Sequence, residues 1–169
     1  MKKYFSFALM TLLLSFGFVA CSVETKEEPG GTNIEKMAGK WDVTVNVVDA
    51  SGNVLYEDPY GMGVITIYTY NTSDNNTTEM WLDDDHQFWA FKMKVGINYE
   101  ARSFSCPSKD YDADGTGQAE VTNGKILEGA AKNLHGMPND SIVFDIKFSD
   151  DDYEFIYRIA GQRYTGFYE

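Results

Sequence analysis

Trp41, Val43, Val45 and Val47 alternate with Asp42, Thr44 and Asn46. Apolar side chains at every second position bury one face of an extended chain and leave the other to solvent, the signature of a half-buried strand. The same alternation returns in short runs along the rest of the chain, each closed by turn-forming residues. Asp49-Ala50-Ser51-Gly52-Asn53 ends the first run, and Val54–Tyr56 reads as a short return. Strands are predicted over Gly63–Tyr70, Thr78–Leu82, Phe88–Val95 and Asn98–Ser105, followed by an acidic loop from Pro107 to Gly117. Gln118–Thr122 and Lys125–Ala131 flank Asn123-Gly124, a hairpin signal. Ser141–Phe148, Tyr153–Ala160 and Arg163–Tyr168 complete the series, the last two separated by a Gly161-Gln162 turn. Helical pattern is confined to Ile34–Ala38, one short turn. Roughly eight to eleven short strands at regular spacing make this an all-β domain, an antiparallel barrel or sandwich.

The first residues follow a different rule. Met1-Lys2-Lys3 precede a near-unbroken apolar run from Tyr4 to Val19, and then comes Ala20-Cys21. A basic start, an apolar stretch and a small residue before the break form a secretory signal peptide over residues 1–20. Ending it on Phe18-Val19-Ala20-Cys21 gives the form of a bacterial lipoprotein signal, with Cys21 as the acylated residue; the plainer alternative is an ordinary signal with an incidental cysteine. Two or more acyl chains hold a protein stably to a bilayer. No second apolar run approaches the ~18 residues of a spanning helix. Residues 21–33 are polar and acidic, with Pro29-Gly30-Gly31 near the end, and read as a flexible tether. Lys26-Glu27-Glu28 is similar to the acidic signals that send lipoproteins to the outer face of the outer membrane, and reads equally as a solvated spacer. The remaining residues, 34–169, make one domain.

Charge narrows the partners. The chain carries 14 basic and 26 acidic residues. Loss of Lys2 and Lys3 with the signal leaves 12 basic against 26 acidic, an excess of fourteen negative charges. Such a surface repels nucleic acid and anionic lipid, so the link to the membrane is covalent. With Cys21 acylated, Cys106 is the only thiol and no internal disulfide can form. In Ser105-Cys106-Pro107, where a strand is expected to end, it reads as a half-buried small residue rather than a nucleophile.

Aromatic residues are 15% of the chain. Trp89, Phe91, Met93 and Val95 share one strand face, and Ile142, Phe144, Ile146 and Phe148 another. Two readings stay open: a core filled by its own side chains, or a barrel interior that admits one small apolar molecule. On the second, Tyr68, Trp89, Phe91 and Met93 are the expected lining, subject to strand register.

Gly39-Lys40-Trp41, opening the first strand, resembles the Gly-x-Trp signature of lipocalins and related calycins, in which the tryptophan closes one barrel end and a late arginine packs across it. Arg158 and Arg163 are the two candidates for that arginine. Residues 34–169 resemble the lipocalin-like lipoprotein family of Bacteroidetes described as lipid-binding putative hydrolases. The resemblance rests on Ala38-Gly39-Lys40-Trp41-Asp42-Val43, on Asn98-Tyr99-Glu100-Ala101-Arg102-Ser103-Phe104 and on Arg163-Tyr164-Thr165-Gly166-Phe167-Tyr168-Glu169. It implies a calycin-type β-barrel on an exported lipoprotein, binding a lipid or similar molecule.

The family description also names hydrolysis, but the residues offer no catalytic pattern. Gly-x-Ser-x-Gly is absent, and with it the nucleophile elbow. A serine triad needs a histidine, and only His86 and His135 exist, both in expected turns. With Ser105 they are the residues an esterase reading would test. Two histidines do not make a histidine-based zinc site. Asp110-Tyr111-Asp112-Ala113-Asp114-Gly115 matches the first half of an EF-hand loop, but position twelve is Val121 and flanking helices are missing, so Asp110, Asp112 and Asp114 are a weak calcium candidate within a solvated acidic loop. Asn71, Asn76 and Asn139 begin glycosylation-type triplets that read as polar loops. No cofactor is implied. The expectation is an outer-membrane-anchored barrel that binds a small apolar or amphipathic ligand. The alternatives are an ester or lipid hydrolase, or a surface module whose exposed Trp81 and Tyr60 meet a glycan or protein.

Overall fold

Nine strands and the turns between them make up most of residues 31–166, which a computed structural model of the chain describes. The signal peptide, Cys21 and the tether up to Gly30 lie outside the described residues. The strands are β1 (Gly39–Val48), β2 (Val54–Glu57), β3 (Ile65–Asn71), β4 (Glu79–Asp83), β5 (Lys92–Asn98), β6 (Ser103–Asp110), β7 (Gln118–Lys132), β8 (Pro138–Phe148) and β9 (Ile156–Arg163). No helix occurs among the described residues.

From β3 onward each strand pairs antiparallel with the next, β3 also pairs with β1, and β9 returns to β1 over Trp41↔Arg163 to Val48↔Ile156. Eight strands thus close on themselves and remove the sheet edges. β2 is the ninth, paired only with the last residues of β1 and exposed along its length. Alternation does what period two requires. Trp41, Val43, Val45 and Val47 of β1, Ile142, Phe144 and Ile146 of β8, and Tyr157 and Ile159 of β9 all point inward and are buried. An eight-stranded interior can be filled by side chains or hold one small ligand; here the inward side chains meet in one buried apolar cluster.

The domain is continuous where the sequence predicts two hairpins. Asn123-Gly124 is not a turn: β7 runs straight through it for 15 residues. The pairing with β8 shifts register between Thr122 and Lys125, with Asn123 at φ 56°, so the dipeptide makes a bulge. A side chain at 124 would meet the Phe104 ring and carbonyl at 2.4 Å, which is why glycine stands there. Gly161 is likewise inside β9, where a Cβ would lie 2.0 Å from the Asp42 carbonyl. Both glycines permit close backbone approach, a use of the residue that looks the same in sequence as a turn. Two further boundaries move. β6 passes through Pro107 to Asp110, the proline sitting at a register shift between Cys106 and Lys109. β5 begins at Lys92 instead of Phe88 because residues 84–91 form a loop.

The turn at Ile34–Ala38 forms, with Met37 and Ala38 N–H groups donating to the Ile34 carbonyl. Ile34 and Met37 are fully buried and stopper one end of the barrel. Asn33, expected at the end of the tether, instead donates from its N–H to Asn75 Oδ1 at 2.9 Å in the β3–β4 loop.

Candidate functional site

The two ends of the barrel are chemically different. At the end sealed by Ile34 and Met37, the Trp41 indole N–H donates to Thr69 Oγ1 at 2.8 Å, and Thr69 donates to the Met37 carbonyl at 2.6 Å. The Arg163 guanidinium carbon stands 4.3 Å from the centre of the Trp41 ring. The same arginine donates to the Ala38 carbonyl at 2.5 Å and pairs with Asp140 at 3.3 Å. A Cβ at Gly39 would collide with that guanidinium at 2.4 Å. Gly39, Trp41 and Arg163 therefore form one closure, a planar cation laid over an indole face. Arg158, the other candidate, lies on the outer face, where its fork holds Asp145 at 2.8 and 3.0 Å and its third nitrogen donates to the Gly52 carbonyl. Burial alone would raise the Asp145 pKa, but Arg158 and the Asn123 amide outweigh it and hold the carboxyl below the usual range.

At the opposite end, four loops converge: β2–β3, β4–β5, β6–β7 and β8–β9. They bring a cluster of rings to the mouth. Trp89 stacks on Phe148 at 4.6 Å and 8°, Phe88 meets Tyr157 edge-on at 5.1 Å, and Tyr111 meets Phe148 at 5.5 Å and 90°. Tyr60, half exposed, lies over Phe88 and Tyr157. The Tyr157 hydroxyl donates to Asp151 Oδ2 at 3.0 Å, so the Tyr60 hydroxyl, 2.8 Å away, donates to Tyr157. Burial, then the Tyr60 and Asp151 contacts, push the Tyr157 phenol well above its ordinary pKa. Beside this cluster runs an open groove of about 700 Å³, lined by Leu55, Tyr56, Pro59, Tyr60, Tyr153 and Phe155 together with Glu57 and Asp58.

Aspartates shape these loops. Asp84 is fully buried and its carboxylate accepts from the N–H groups of His86, Phe88, Trp89 and Ala90 at 2.8–3.1 Å. Burial pushes its pKa up against the pull of those four donors. That grip holds Phe88 and Trp89 in a loop over the mouth. Asp151 does the same for the β8–β9 loop, accepting from Tyr153 and Phe155, and Asp58 for the β2–β3 loop, accepting from Met62 and Gly63. The strand alternation does not single these residues out. Their spacing, an acid two to six positions before the amides it holds, was the available signal.

The expected lining residues separate. Trp89 sits in the mouth, its indole N–H 3.3 Å from both Asp150 oxygens. Phe91 and Met93 are buried in the barrel wall below it. Tyr68 lies on the outer face of β3, between inward-facing Ile67 and Thr69, and does not line the interior. The residues of the hydrolase reading do not meet: His86 is in the β4–β5 loop at the mouth, His135 in the β7–β8 loop at the sealed end, and Ser105 on the exposed face of β6. Asp110, Asp112 and Asp114 do not converge. Asp112 instead accepts from its own loop at Thr116, and among the described residues no group of three or more His, Cys, Asp or Glu is placed to hold a metal ion. Cys106 is buried with its Sγ 3.6 Å from the Lys94 carbonyl, and burial raises its thiol pKa, which suits an inert core residue. Trp81 is half-buried on the outer face, with Lys92 and Lys94 each 5.6 Å from its ring centre.

Residues 26–168 match a family model described as lipid-binding putative hydrolase. No curated protein matches the chain.

Proposed function

The chain belongs to the lipid-binding putative hydrolase family, and from that premise we propose that its barrel binds a small apolar or amphipathic molecule, a lipid or one like it, at the aromatic mouth. The observation that carries the reading is the juxtaposition of a ring cluster with an open, ring-lined groove at one barrel end. Apolar walls with a few fixed polar groups are the usual make-up of a small-molecule site. Because the interior is packed, the ligand's chain lies among Tyr56, Tyr60, Tyr153 and Phe155 at the rim and does not pass deep between Phe91 and Met93. In this reading the protein is exported on residues 1–20, held to the outer membrane by acyl chains on Cys21, and is a calycin of Bacteroidetes type; the Gly39–Trp41–Arg163 closure supports the calycin assignment.

The test is native mass spectrometry of the purified chain, followed by extraction and titration with single-chain amphiphiles. A lipid-mass adduct that is lost on extraction and restored by titration is the expected result. No adduct, together with no binding by the extracted protein, overturns the reading.

A further inference from the structure

The ligand proposed above has a head group, and the charge of that head can be read from how the domain divides its ionic residues. Over the mouth segments 49–64, 83–92, 109–118 and 147–158 there are thirteen acidic and four basic residues, an excess of nine negative charges. Over the segments of the sealed end, 31–40, 72–79, 98–103, 125–140 and 162–166, acidic and basic residues number six each. Among the described residues, the excess therefore lies at one end. Asp58, Asp84 and Asp151 accept from neutral N–H and O–H donors, which bring no positive charge against them. The groove has Glu57 and Asp58 among its lining residues and no lysine or arginine.

We infer that this groove seats the cationic head, a primary or quaternary ammonium, of an amphipathic ligand. The inference rests on the amphiphile-binding reading and adds the charge of the head to it. Two independent features converge. The faces of Tyr56, Tyr153 and Phe155 carry the negative side of the ring quadrupole, and Tyr153 stacks on Phe155 at 5.2 Å and 13° to present an extended face. The surrounding carboxylates add a field of the same sign, which raises the local concentration of cations and repels anionic heads. A phosphate or carboxylate head would find like charge and no donor cation in the groove. The alkyl part would lie over Leu55, which is 53% exposed, and the ring edges beside it.

The experiment uses the full chain in three parallel calorimetric titrations, below micelle concentrations, with decyltrimethylammonium, decanoate and decyl glucoside. The expected result is binding of the ammonium compound about tenfold or more tightly than decanoate, the glucoside falling between. The preference should shrink in 1 M salt, where the Debye length is about 3 Å. It should also collapse in the double variant Glu57→Gln/Tyr153→Ala, whose two positions are exposed and not needed by the core. Equal binding of all three compounds overturns the head-group inference and leaves amphiphile binding standing. A preference that survives in the double variant overturns the placement in this groove. Failure of all three to bind removes the inference together with the reading it rests on.

Discussion

Replacing Phe148 by alanine removes the ring around which the mouth is packed. Phe148 is 4% exposed and lies within 4.6–6.1 Å, centre to centre, of the rings of Phe88, Trp89, Phe91, Tyr111 and Tyr157. A buried Phe→Ala change costs about 3–5 kcal/mol, the spread reflecting how far neighbours collapse into the hole. Phe88 and Trp89 belong to a loop and are only partly buried, so they can lean inward. That places the cost near ~3 kcal/mol at the low end of the range. With a urea slope of about 2 kcal/mol per molar, the unfolding midpoint should fall by about 1.5 M. Far-UV circular dichroism along a urea gradient measures this directly. Tyr153→Ala provides the comparison: its ring is 71% exposed and stacks on Phe155, so its cost should stay near ~0.5 kcal/mol. A loss below ~1 kcal/mol for Phe148→Ala, or equal losses for the two variants, would show that the mouth rings are a loose surface cluster and not part of the core.

Two other outcomes follow from particular contacts. Gly124→Ala puts a methyl 2.4 Å from the Phe104 ring and carbonyl and should lower the melting temperature by about 5 °C or more, whereas Gly136→Ala, with open space around it, should carry only the ~1 kcal/mol of its left-handed backbone; equal shifts in thermal melts would refute the bulge. Asp145 is held below the ordinary carboxylate range, so it binds protons less readily folded than unfolded. Its contribution is complete above about pH 4, the ordinary value, and is lost as pH falls through the lowered one. Asp145→Asn should flatten the acid side of the stability–pH curve and cost about 1–2 kcal/mol at pH 7, towards the low end for a pair whose arginine is 28% exposed; an unchanged acid limb in chemical denaturation at several pH values would refute it.

The strands were legible because period two is a local property. The alternation at 41–47 placed Trp41 and its valines inward, and every strand of the closed barrel lies on or beside a predicted run. What misled was glycine, whose sequence neighbourhood does not say whether freedom of backbone angle or absence of a side chain is wanted. Gly124 and Gly161 serve the second need, although each stands in a dipeptide whose pattern predicts a turn. At the mouth, Trp89 was reached from its neighbours' alternation, yet it owes its position to the Asp84 carboxylate five residues earlier, a contact that period two does not register. Tyr68 fell on the wrong face because one residue of register separates Ile67 from it. The choice between Arg158 and Arg163 turned on which one meets Trp41 across the β1–β9 pairing, and cross-strand partners of such separation leave no local trace.

That β1–β9 pairing joins the strands most distant along the chain. Until residues 156–163 are in place, β1 and β8 each present an unpaired row of backbone groups, the template on which chains stick to one another. A polypeptide cut short before Ile156 therefore differs from the whole one in kind as well as in stability. It holds most of the same core but carries two adhesive borders, so truncated copies should aggregate or be digested where finished ones stay apart. Closure by β9 hides both borders at once.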